Sequence, residues 1–146
     1  MERRLERGAI LDLWGYVTEI LGSIEGLDEI TSEIELRRKL KNKFGWGKHK
    51  DVGIFDPKSK GECVRLLLVP CSRRNFYERA FDVIDIARVC NRGPGVRLEG
   101  IMFLPVSWSQ SLEQRLATYV SNMLRKYGVV QTCVKFPLSE FPRCWH

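Results

Sequence analysis

TSEIELRRKLKNKFGWGKHKDVGIFDPKSKGECVRLLLVPCSRR runs from Thr31 to Arg74 and holds the decisive order of features. It presents an acidic helix start, a dense basic run, a lone Asp, a turn and an apolar strand. Ser32 and Glu35 stand at capping-box spacing, so a helix begins there, with Ile34, Leu36 and Leu40 at its apolar positions. Gly45 and Gly47, with Trp46 between them, end it. Asp51 to Phe55 and Cys63 to Val69 read as two strands. The segment joining them, DPKSKG from Asp56 to Gly61, has strong turn chemistry and predicts a hairpin. After Arg65 the second strand is continuously apolar, as in a central strand buried on both faces.

Downstream, Leu66 to Gly93 and Gly100 to Gly128 share one shape. Each has an apolar strand ending in Pro (Pro70, Pro105), a Ser two residues later (Ser72, Ser107), a long amphipathic helix and a Gly stop. Two such βα units followed by a strand from Val129 to Phe136 imply parallel crossovers. Upstream, Ile10, Leu13, Trp14, Val17, Ile20 and Leu21 recur at helical spacing until Gly22 and Gly26 break the pattern. The tail PLSEFPRCWH, residues 137–146, is expected to be irregular. The expectation is a single α/β domain over 1–146, helical in 1–48. It is three-layered, with a mixed β-sheet flanked by helices in the order α-α-β-β-α-β-α-β.

A chain of 146 residues with 44% hydrophobic and 29% charged content fits one ordinary globular core. No apolar run has the length of a membrane span, and the N-terminal stretch lacks a signal-peptide pattern. The five cysteines are odd in number and form no C-x-x-C pair, which argues against a disulfide framework and for an intracellular, cytoplasmic location. Net charge is +6, yet seven basic residues and no acid lie between Arg37 and Lys50. Such a cluster suits a polyanion, and a solvated helix face is the plainer explanation.

The order of elements over residues 30–105 resembles the PD-(D/E)XK nuclease superfamily, which includes Holliday-junction resolvases and restriction-endonuclease-like domains. In that family a helix supplies a Glu, a hairpin an Asp, and the next strand a (D/E)-x-K. The carboxylates hold Mg²⁺ to offset charge at the phosphorus centre. Carried over, Glu33 or Glu35 matches the helix acid and Asp51 the hairpin Asp. The third element is absent: Leu66 to Pro70 replace it, and Val64, two residues after Glu62, stands where the family has its Lys. Arg65 is one residue out of phase, so in a strand it faces the other way.

The resemblance therefore implies a nuclease-like fold with a degenerate catalytic site. The basic residues Arg37, Arg38, Lys39, Lys41, Lys43, Lys48 and Lys50, with Trp46 for stacking, would hold nucleic-acid backbone. Arg73 and Arg74, at the strand-to-helix turn VPCSRRN, would extend that surface, and Cys71 beside a helix start is a candidate for a lowered pKa. No cofactor is expected unless the chain is an active Mg²⁺-dependent nuclease built on Glu35, Asp51 and Glu62. A homodimeric protein-interaction module is another class. A third is an RNA-binding domain resembling the anticodon-binding domains of class II tRNA synthetases. The missing Lys predicts no cleavage of linear, branched or single-stranded nucleic acid with Mg²⁺ or Mn²⁺. Cleavage that disappears on Asp51→Ala would contradict that expectation.

Overall fold

The computed structural model describes residues 2–44, 51–59, 63–106, 114–135 and 143–145. The apolar strand β2, Leu66–Ser72, is an inner strand of the sheet, and its residues are buried up to the last. Alternation sends Leu67, Val69 and Cys71 to one face and Leu66 and Leu68 to the other. Both faces are apolar, so each needs a helical cover. Helix α3, Phe76–Cys90, and helix α4, Gln114–Lys126, cover the first. Helix α1, Glu2–Ser23, and helix α2, Glu33–Phe44, cover the second. The fold is α/β in three layers, as expected.

The sheet is completed by β1, Val52–Ile54, β3, Gly100–Val106, β4, Gln131–Val134, and β5, Arg143–Trp145, in the order β1-β2-β3-β4-β5. The first four strands are parallel and β5 is antiparallel to β4. Strand order follows chain order through β2-α3-β3-α4-β4. Two successive crossovers of one hand therefore place α3 and α4 on the same face.

The two prolines sit where the ladder tolerates them. Leu66 donates to Asp51 and Leu68 accepts from Phe55, so even-numbered residues of β2 direct their backbone groups towards β1. Pro70 lies on that side, beyond the end of β1 at Ile54. In β3 the odd residues direct theirs towards β4, with Phe103 accepting from Lys135. Pro105 lies past that last bond. Each missing N–H thus falls past the last hydrogen bond of its ladder among the described residues.

Three expectations change. Strands β1 and β2 are not a hairpin: they run parallel, with Val52 opposite Leu66. The turn chemistry is present, since Asp56 Oδ1 accepts from the Lys58 amide at 3.0 Å. It begins a return of the chain to the start of β1, where Arg65 and Leu66 both donate to the Asp51 carbonyl. Val64 then lies against Gly53, where a Cβ would meet it at 3.0 Å, so that close approach needs glycine. As a result β2 begins at Leu66 rather than Cys63. Second, the tail is not wholly irregular, because Arg143–Trp145 adds the edge strand β5.

Third, four of the five cysteines are paired. Cys63 is bonded to Cys90 and Cys133 to Cys144, and only Cys71 is free. The first bond ties the approach to β2 to the last turn of α3. The second locks β5 to β4 at the register pair Cys133 and Cys144. Among the described residues no helix is long and apolar enough to cross a membrane.

The Cys63–Cys90 bond closes a separation of 27 residues. Restricting the unfolded chain in this way is worth about 3–4 kcal/mol in the chain-entropy model. Replacing both cysteines by Ser should lower the free energy of urea unfolding by that order, and unchanged stability would contradict the cross-link.

Candidate functional site

Glu33 opens α2 and is the most heavily engaged carboxylate in the molecule's described part. It accepts from Arg37 at 3.0 Å, from Arg79 Nε at 2.9 Å and from the Asn75 amide. Its side chain and that of Arg79 are each 14% exposed, so these ion pairs are only weakly screened by water. Asn75 in turn accepts from the Ser72 amide at 2.7 Å, and Arg79 lies 5.9 Å from the centre of the Phe55 ring. One carboxylate thereby joins the helical layers around the carboxyl ends of β1 and β2. Arg73 and Arg74, expected to meet an anion beside the start of α3, are exposed and are not among the partners of Glu33.

This arrangement separates the nuclease-like carboxylates. Asp51 stands at the amino end of β1, level with Arg65 and Leu66, whereas Glu33 is bound beyond Ser72. The length of β2 lies between them, roughly 20 Å at the usual strand rise. Glu35 faces Lys39 at 3.9 Å, and its amide is capped by Ser32 Oγ at 3.3 Å. Glu62 lies outside the described residues. Among those described, no group of three His, Cys, Asp or Glu side chains is placed to hold a metal ion. Glu35 and Asp51 are therefore not brought together with a third ligand there.

Much of the basic run is neutralised locally. Arg37 bonds Glu33, Lys39 faces Glu35, and Lys41 Nζ lies 2.6 Å from Asp56 Oδ2. Arg38 and Lys43 are exposed on α2 and make no ion pair among the described residues, and Arg73 and Arg74 are exposed beyond β2. Trp46, Lys48 and Lys50 lie outside the described residues. Cys71 is fully buried, and burial, reinforced by the charge of Glu33, pushes its thiol pKa up. The lowered pKa expected for it is corrected: desolvation outweighs the neighbouring helix start.

A second concentration of positive charge has no counterpart as a run in the sequence. A cleft of about 570 Å³ opens between the carboxyl ends of α3 and α4, lined by Arg88, Arg92, Arg97, Arg125 and Lys126 with no acidic residue. All five cations are exposed. Only Arg88 has an ion-pair partner among the described residues, Asp85 at 3.3 Å. Asn91 frames the cleft. Its Nδ2 donates to the Leu98 carbonyl at 3.0 Å and the Tyr127 carbonyl at 2.7 Å, and its Oδ1 accepts from the Leu98 amide at 2.8 Å. Opposite it, Gly128 has φ of 93°, and a Cβ there would meet Asn91 and Arg97 at 3.1 Å.

A signal for this cleft did exist. Both repeated βα units carry basic residues just before their Gly stop, RVCNRG and LRKYG. Parallel crossovers on one face bring those two endings side by side. Cations at a helix end also complement its dipole, which accounts for Arg88, Arg125 and Lys126. It does not account for Arg92 and Arg97, which lie past the end of α3.

A stretch of 66 residues, 44% of this chain, is 35% identical to the ATPase GET3 of Kluyveromyces lactis. It spans 19% of that protein, so the chain matches about a fifth of its relative's length. No family model matches the chain, and no solved structure matches it.

Glu33→Ala should cost about 2–4 kcal/mol in urea unfolding, because Arg37, Arg79 and Asn75 lose a common partner in a partly buried setting. A loss below half of one kcal/mol would contradict the hub. Asp56 is held below its ordinary pKa of 3.8, first by the Lys41 hydrogen bond and then by the Lys58 amide. A carboxylate with a depressed folded pKa stabilises the fold above its unfolded value and loses that contribution as pH falls through the lowered one. Lys41→Ala should return the Asp56 pKa towards 3.8 in an NMR titration, and an unmoved value would exclude the pairing.

Proposed function

We propose that this protein is a nucleic-acid-associated domain that holds phosphate groups and does not cut them. The observation that carries the reading is the acid-free cleft lined by Arg88, Arg92, Arg97, Arg125 and Lys126. Five cations around a concave space gain little from each other and much from a polyanion, since binding releases counterions condensed on the phosphates. Arg38 and Lys43 on α2 offer a second, weaker contact surface. The likeness to the nuclease superfamily remains part of this proposal only through the sequence order of helix, Asp-bearing strand and apolar strand, since the hairpin it implied is a parallel pair and the catalytic triplet is incomplete in the sequence. Binding of this kind is weakly sequence-specific, because guanidinium contacts to phosphate carry no base information.

The name ATPase belongs to the K. lactis protein. This chain contains no G-x-x-x-x-G-K-[ST] loop, so an ATPase reading has no phosphate-cradling motif to rest on here. A protein-interaction role, including a homodimer, draws on a different feature: Tyr77 and Phe81, one turn apart on α3, are 54% and 55% exposed. The intracellular placement proposed from the cysteine count loses that support, because two disulfides pair four of the five thiols. Disulfides do occur inside hyperthermophile cells, so a cytoplasmic nucleic-acid role stays compatible with them.

Fluorescence anisotropy with labelled oligonucleotides at several salt concentrations tests the reading. Wild-type affinity should fall steeply with salt. Replacing Arg92, Arg97 and Arg125 by Ala should reduce the slope of log affinity against log salt by about 2–3. The Arg38 and Lys43 replacements should change it less. No binding by the wild type at low salt would end the nucleic-acid reading.

A further inference from the structure

We propose that the cleft between α3 and α4 receives a terminal phosphate or oligophosphate group of a nucleotide, rather than the continuous backbone of a nucleic acid. The chain-end form of this ligand rests on the nucleic-acid reading above; the free-nucleotide form does not.

Size is the first argument. The cleft has about 570 Å³, in the range of roughly 300–1,000 Å³ usual for small-molecule pockets. That is space for one nucleotide-sized group, and a duplex does not enter it.

Charge is the second. The five cations bring five positive charges. The carboxyl ends of α3 and α4 each contribute roughly half a negative charge, so together they offset about one. Asp85 compensates Arg88. About three positive charges then remain in a space of one nucleotide. An internal phosphodiester supplies a single negative charge there, whereas a terminal phosphomonoester supplies roughly 1.5–2 and an oligophosphate more. The match is to the end group.

Geometry is the third. Arg92 and Arg97 stand on the segment leaving α3, and Arg125 stands on the last turn of α4. Guanidinium forks therefore reach the ligand from two sides, the arrangement that favours bidentate contact with several oxygens of one phosphate. Asn91 is a positioning residue: its amide is spent on Leu98 and Tyr127, and it holds the two walls at their spacing.

The test uses anisotropy with one single-stranded sequence carrying a 5′-hydroxyl, a 5′-monophosphate or a 5′-triphosphate. A free nucleoside triphosphate serves as competitor. The expected result is affinity rising by about tenfold from hydroxyl to triphosphate. Arg92→Gln with Arg97→Gln should abolish that preference, so that all three oligonucleotides bind with the same, weakened affinity. Arg97→Lys should retain part of it, and unchanged thermal unfolding shows that these exposed substitutions leave the fold intact. Displacement of the phosphorylated oligonucleotide by free triphosphate at similar concentration supports the free-nucleotide source; displacement only by phosphorylated oligonucleotide supports the chain end. Equal affinity for all three oligonucleotides overturns the proposal and leaves the nucleic-acid reading standing. Binding of free triphosphate with no oligonucleotide bound supports the proposal and overturns that reading. Failure of every ligand to bind overturns both. A preference that survives in the Arg92→Gln, Arg97→Gln double variant and in Arg125→Gln overturns the assignment to this cleft.

Discussion

Strand β2 is apolar on both faces, and that constraint organises everything around it. A strand of this kind is stable only with a helical layer on each side, which commits α1 and α2 to one face and α3 and α4 to the other. Covering both faces leaves the polar chemistry to the strand ends. At the carboxyl end of β2, Glu33 ties α2 to the start of α3 through Asn75 and Arg79. At its amino end, Arg65 donates to Glu99 Oε2 at 2.8 Å and joins the entry of β2 to that of β3. The two ends thus have separate ionic clamps, one acid with three partners and one near-surface pair.

The clamp at Glu33 gives that carboxylate a structural role. A carboxylate that serves three donors is already neutralised, and its energetic role is to fasten layers. Asp51 lies at the other end of the strands because β1 runs parallel to β2. In an antiparallel hairpin the chain would enter β2 beside the end of β1; here it enters beside the start. Strand direction alone therefore decides which side chains share a strand end.

Some of this was legible in the residues. The unbroken apolar run of β2, the matching run in β3 and the Gly-terminated helices after them gave the three layers and the parallel core. The prolines read as strand ends are instead interior, since β2 runs on to Ser72 and β3 to Val106. Other parts were not legible, for physical reasons. The Asp56 turn is the same whether the chain then doubles back as a hairpin or returns as a crossover, so turn chemistry did not decide direction. Cysteine spacing carries no information on pairs brought together by packing, and Cys63 meets Cys90 only because α3 returns along β2. The run from Arg37 to Lys43 looked free because Asp56, which neutralises Lys41, lies well downstream. The cations of the cleft are scattered from Arg88 to Lys126 and converge only once two crossovers stand side by side.

The central claim is that phosphate is held at the carboxyl ends of α3 and α4. The most direct measurement is a ¹H–¹⁵N NMR titration with a 5′-phosphorylated single-stranded oligonucleotide. Shift changes concentrated at Asn91–Leu98 and Arg125–Val129 are the predicted result. Changes confined to α2 and the Ser72–Asn75 turn, with the cleft unmoved, would contradict the account.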